Sequence, residues 1–135
     1  MNAKIRFKCP HCGEVMNVAS PNQTCNKCHN PIQLPPEGSI YIYRQGSPYG
    51  IAGGFGLYIN EKPYGYIGNK ELLRLPVAYG TYTIHAAAGM NRKCKDMQVT
   101  ISPENPVVYT KVYMKPGFWT NSFVIVPLDP KLLDQ

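Results

Sequence analysis

The chain has 135 residues, of which 44% are hydrophobic and only 16% charged, with 12 Gly, 13 Pro and 10 Tyr. This is enough for one core of ordinary size plus a small appendage, and it excludes both a disordered tail and a charge-laced helical protein. Fourteen Lys and Arg against eight Asp and Glu leave a net charge of +6, which permits an acidic partner without demanding one.

The first residues run from Lys4 and Arg6 straight to Cys9 with no apolar signal region. No later apolar run approaches the roughly 18 residues of a membrane-spanning helix. A cytoplasmic protein without a membrane span is therefore expected. Lys4-Ile5-Arg6-Phe7-Lys8 alternates with period two, predicting a strand with Ile5 and Phe7 on one side and three cations on the other. Such a strip can follow phosphates, which makes Lys4, Arg6 and Lys8 candidate nucleic-acid contacts, although a solvated strand face explains the alternation equally well.

Cys9-Pro10-His11-Cys12 and Cys25-Asn26-Lys27-Cys28 follow, with twelve residues between the pairs. Two thiolates three positions apart in a tight knuckle reach one metal, and two facing knuckles complete a tetrahedral four-sulfur shell. Cys9, Cys12, Cys25 and Cys28 are thus expected to bind one structural Zn2+. A closed shell leaves no position for activating water. A mononuclear iron centre takes the same ligands, and two disulfides would be the alternative in an oxidising compartment. Asn22-Gln23-Thr24 matches a glycosylation acceptor, to which a cytoplasmic reading gives no role. Few apolar residues accompany the cysteines, so about 34 residues here need the metal in order to fold.

Cys9-Pro10-His11-Cys12-Gly13 resembles the paired knuckles of short bacterial zinc ribbons, and Cys25-Asn26-Lys27-Cys28-His29 departs from them by lacking both the proline and the glycine. The resemblance implies β-strands around one zinc, used for nucleic-acid contact, protein docking or architecture. The prolines of 30–38 favour extended chain outside a central strand. The expected division is a ribbon over 1–34, a proline-rich linker over 35–38 and a second domain over 39–135.

Beyond the linker no window has helical periodicity, and strands are predicted at 40–45, 55–60, 64–67, 72–75, 80–88, 95–101, 107–114 and 122–126. Seven or eight strands at this spacing suit an antiparallel two-sheet β-sandwich, so the whole chain is expected to be all-β. Alternation assigns Tyr82, Ile84 and Ala86 to the core, along with Phe55, Leu57, Ile59, Met97, Val99 and Ile101. It turns Tyr41, Tyr43, Tyr58, Tyr109 and Tyr113 outward, with Lys111 among them. Outward tyrosines offer rigid amphipathic contact area for a protein or a carbohydrate; cross-strand pairing on a solvated face is the plainer reading.

Leu75-Pro76-Val77-Ala78-Tyr79-Gly80-Thr81-Tyr82-Thr83-Ile84 resembles a strand entry of bacterial PEGA-like and carboxypeptidase-regulatory-like β-sandwiches, with two extra residues before the glycine. The flanking Ile40 to Arg44, Leu57 to Lys62 and Val107 to Tyr109 fit the same layout. The resemblance spans about 39–126 and implies a binding or scaffolding module without catalysis.

The weaker motifs add no reactive centre. The glycines of 50–56 lack the Lys-Ser/Thr of a phosphate loop and read as a flexible loop. His85 falls on the Thr81 and Thr83 face and is expected to meet solvent. Cys94 stands beside Arg92, Lys93 and Lys95, whose charge could lower its thiol pKa, but a lone thiol in a loop or at a strand end is usually incidental and is assigned no role. With no nucleophile motif, the expected function is non-enzymatic binding or scaffolding with a protein partner. The alternatives are a nucleic-acid-binding ribbon with a tethered sandwich, and carbohydrate binding by the sandwich.

Overall fold

The computed structural model describes residues 3–20, 23–46, 54–87, 94–115 and 122–131. Asn22, the glycines at 50 and 53, Ala88, Arg92 and Lys93, all invoked above, lie outside the described residues. Eleven strands run in chain order: β1 (Lys4–Lys8), β2 (Val15–Val18), β3 (Gly38–Arg44), β4 (Phe55–Ile59), β5 (Lys62–Ile67), β6 (Leu72–Val77), β7 (Gly80–Ala87), β8 (Cys94–Lys95), β9 (Met97–Ile101), β10 (Val107–Lys115) and β11 (Ser122–Pro127). They form a seven-stranded sheet ordered β2-β1-β6-β3-β10-β11-β8 and a four-stranded sheet ordered β5-β4-β7-β9. The all-β two-sheet architecture is therefore as expected. Among the described residues, no helix is long and apolar enough to cross a membrane.

Period-two alternation explains the layering. Ile40, Ile42, Leu73, Leu75, Val112, Phe123 and Ile125 of the large sheet face Phe55, Leu57, Ile67, Ile84, Ala86, Val99 and Ile101 of the small one. Phe55 and Phe123 meet edge to face with ring centroids 4.6 Å apart, a favoured aromatic geometry. The Arg44 guanidinium is enclosed beside them, 3.7 Å above the Phe55 ring, and donates from Nη1 to the Ile67 carbonyl at 3.1 Å. Tyr82 reaches only the margin of this core, where its hydroxyl donates to the Ala78 carbonyl at 2.7 Å. Gly38 is required where β3 begins, because a Cβ there would collide with the Pro106 carbonyl and the Ile101 side chain.

Three local features depart from the sequence reading. The strand expected over 95–101 is divided at Asp96: β8 pairs with β11 in the large sheet and β9 with β7 in the small one. A chain that changes sheets in this way makes the corner of a sandwich. The small sheet is antiparallel throughout. The large sheet also contains parallel pairs, β1 with β6, β3 with β10, and β8 with β11. Finally, β5 begins at Lys62 because Asn60 and Glu61 both take positive φ, 52° and 70°, closing a two-residue hairpin of the kind that matches strand twist.

The cysteine-bearing segment continues the large sheet. β1 pairs in parallel with β6, matching Lys4 to Leu73 and Ile5 to Arg74, while β2 closes that edge. A second cluster of Phe7, Cys9, Met16, Val18, Cys25 and Ile32 packs beyond β1. The prolines at 35 and 36 lie outside any strand, and β3 starts two residues later.

Candidate metal centre

The two cysteine knuckles have the same backbone wiring. Cys9 N donates to the Glu14 carbonyl at 2.8 Å and Gly13 N to the Cys9 carbonyl at 2.9 Å; Cys25 N donates to Asn30 at 2.8 Å and His29 N to Cys25 at 3.0 Å. Closing this turn demands a left-handed residue, which is Gly13 (φ 82°) in the first knuckle and His29 (φ 62°) in the second. The absent proline and glycine of the second knuckle therefore leave its shape unchanged. The cost is borne by a residue with a Cβ.

These turns bring the four sulfurs together, each within 4.8 Å of the others. Cys9 Sγ lies 3.7 Å from Cys28 Sγ and Cys12 Sγ 3.5 Å from Cys25 Sγ. Four thiolates ~2.3 Å from one tetrahedral ion would stand ~3.8 Å apart. The spacing thus fits a shared metal and is far from the roughly 2.05 Å of a disulfide; all five cysteines are free. Cys9 and Cys25 are buried, whereas Cys12 is exposed.

The surroundings prepare the sulfurs for a cation. Lys27 N and Cys28 N point at Cys25 Sγ from 3.4 and 3.5 Å, and Asn30 Nδ2 donates to Cys28 Sγ at 3.4 Å. The Cys28 amide, followed by that of Lys27, outweighs burial and brings Cys25 down to about 6. At Cys12 the Glu14 amide pulls downward, but desolvation and the three neighbouring sulfurs together push it up to about 12. Crowded thiols that cannot all ionise alone are what a dication relieves. The four cysteines can accordingly hold one metal ion.

The cationic strip is not arranged as the alternation suggested. Ile5 and Phe7 do share one side of β1, but the opposite side faces β5 of the small sheet instead of solvent. Arg6 is buried, only 8% exposed; its Nε donates to Asn17 Oδ1 at 3.1 Å and its Nη1 donates to the Tyr66 carbonyl. Burial lowers the Arg6 pKa, partly offset by Glu71 and Tyr64. Lys4 Nζ lies 3.0 Å from Glu71 Oε2. Burial would raise Glu71, yet Lys4, the Gly68 amide and Arg6 together hold it below the usual carboxylate range. Lys8 remains half-exposed. Of the three cations expected to form an open strip, Arg6 is therefore a buried clamp between the β1–β2 edge and β5 of the small sheet.

The outward tyrosines divide between the sheets. Tyr41 and Tyr109 are opposite each other on β3 and β10 and stack with centroids 4.4 Å apart at 10°. Tyr43 lies beside Lys111, whose Nζ is 5.7 Å from the Tyr113 ring centre. Register places Ile5, Arg74, Tyr41 and Tyr109 in one row across four strands, so this face runs continuously toward the ribbon. Tyr58 is elsewhere, on the small sheet, with its ring edge-on to His85 at 5.6 Å.

Cys94 and His85 lie close to Asp96. Burial, with Asp96 nearby, pushes the Cys94 thiol up to about 11 despite one opposing amide from Ala86. His85 Nδ1 is 2.7 Å from Asp96 Oδ1, at the side of a cleft of about 560 Å³. Sequence spacing gave no sign of this pair, because continuing the β7–β9 register is what sets His85 opposite Asp96.

Comparison with protein-family models, curated proteins and solved structures finds no match.

Proposed function

We propose that this chain is a cytoplasmic, non-enzymatic binding protein in which a structural zinc ribbon is built onto a PEGA-like β-sandwich, and that it recognises another protein. The observation that carries the reading is the four-sulfur cluster with tetrahedral spacing. A shell of four protein sulfurs stabilises a fold and offers no position for substrate. Zinc is favoured over iron as the commoner occupant of paired knuckles, and the cytoplasm keeps such thiols reduced.

The metal supports a surface. By fixing β1 and β2 it extends the large sheet, whose outer side carries Tyr41, Tyr43, Tyr109 and Tyr113 beside Lys111 and Arg74. Tyrosine and arginine are the residue types enriched where proteins bury contact area on one another. A nucleic-acid reading has less support, since Arg6 is buried and Lys4 is paired with Glu71.

Elemental analysis should find zinc that is lost when Cys9, Cys12, Cys25 and Cys28 are all replaced by Ser; iron in its place overturns the choice of metal. Nuclease-treated cell extract should yield a protein captured by the wild type but not by Tyr109→Ser or Lys111→Glu. Capture that requires intact nucleic acid, or that ignores both substitutions, overturns the protein-binding reading. Binding of a glycan at the tyrosines would favour the carbohydrate alternative.

A further inference from the structure

Outside the ribbon, one other set of metal-binding side chains converges among the described residues: His85, Cys94 and Asp96, with one donor atom from each lying within 4.8 Å of the other two. They come from β7, from β8 and from the residue at which the chain changes sheets. We propose that His85, Cys94 and Asp96 form a second metal site, for a zinc-class divalent cation, with one coordination position left for an exchangeable ligand.

The donor set selects the ion. One imidazole, one thiolate and one carboxylate are a borderline combination suited to Zn2+, whereas Mg2+ and Ca2+ take oxygen throughout. Thiolate and carboxylate together balance the charge of a dication. Three protein ligands are the number found where zinc keeps a fourth position open, the opposite of the closed ribbon shell.

The geometry is close to what binding requires. The Ala86 amide donates to Cys94 Sγ at 3.4 Å, as the Lys27 and Cys28 amides do to Cys25. Tyr58 lies edge-on to the His85 ring. An imidazole nitrogen and a carboxylate oxygen each ~2.0 Å from a tetrahedral ion stand ~3.3 Å apart, so a cation would replace the 2.7 Å hydrogen bond between His85 and Asp96 and part them by about 0.6 Å. Both side chains have the freedom to move, being 27% and 44% exposed. The Cys94 thiol proton is released to solvent on binding.

His85 and Asp96 also line the cleft of about 560 Å³, together with Tyr58, Asn60, Glu61 and Thr83. The open position would therefore be reached from a cleft lined by polar residues, with room for water.

The test is equilibrium dialysis of the purified full chain against buffered free Zn2+, followed by elemental analysis. Wild type should hold one more equivalent than Cys94→Ser or His85→Gln, and Asp96→Asn should weaken that equivalent by at least about tenfold, since even outer-shell partners matter by that much. The difference between chains carries the inference, not the total, so loss of the ribbon's zinc would leave it intact. Replacing Zn2+ with Co2+ should give more thiolate-to-cobalt absorbance in wild type than in Cys94→Ser. Equal stoichiometry across wild type and the variants, or equal cobalt absorbance, overturns the site. Should Cys94→Ser fail to fold, His85→Gln alters only a part-exposed side chain and answers the same question.

Discussion

The ribbon and the sandwich solve the same problem with different means. Among the described residues the sandwich encloses seventeen buried side chains in one cluster, and burial of this kind stabilises by roughly 1.5–3 kcal/mol for each large apolar group. The cluster of the cysteine-bearing segment has six, two of which are Cys9 and Cys25 of the candidate metal centre. Its interior is thus partly made of the candidate metal-binding sulfurs themselves. With an ion as the proposed occupant of those sulfurs, the sandwich is expected to persist on removal of the metal, whereas the cysteine-bearing segment, with its smaller apolar cluster, is not.

Removing the metal should break this comparison most forcefully. Structural zinc contributes on the order of 10 kcal/mol in small domains, so chelation, or Cys25→Ser, should melt β1 and β2. The amide resonances of the sandwich core should persist in the same sample, apart from those of β5 and β6 at the junction. Loss of the whole spectrum together would mean that the two regions are one cooperative unit.

The converse perturbation is Phe123→Ala. Deleting this ring from against Phe55 should cost the sandwich about 3–5 kcal/mol, read as a shift of its denaturation midpoint, with metal content unchanged. The junction is probed by Arg6→Met, which keeps the aliphatic stem and leaves the Tyr66 carbonyl and Asn17 without their donor. A loss of about 1–3 kcal/mol is expected, together with earlier hydrogen exchange in β1 than in β6. Unchanged exchange would show that the β1–β6 pairing alone holds the ribbon in place. The smallest effect is a gain. His29→Gly relieves a left-handed residue and should stabilise the metal-bound ribbon by about 0.5–1 kcal/mol, the relief being reduced by glycine's greater entropy in the unfolded chain.

Much of this arrangement was legible in linear order. The spacing of Cys9, Cys12, Cys25 and Cys28 is a local device: each knuckle closes through hydrogen bonds within six residues, so its shape is encoded where it occurs. Alternation likewise marked the strands, because a residue two positions along a strand returns to the same face whatever the neighbour. The boundaries that shifted were those set by partners. Asp96 divides the single strand expected over 95–101 because its two sides pair with different sheets, and Tyr58 parts from Tyr41 and Tyr109 because β4 belongs to the other layer.

Residue type and spacing alone determined that the chain is all-β, that tyrosines recur at alternate positions on its strands, and that four sulfurs can meet at one ion. Which side of a strand faces water was decided only by tertiary structure. Alternation sorted Arg6 from Phe7 correctly, yet the side holding Arg6 lies over β5, and the charge became an internal clamp. The meeting of His85, Cys94 and Asp96 belongs to the same category, since it depends on strand register and on a change of sheet. Periodicity is a property of one strand, whereas exposure is a property of everything packed against it.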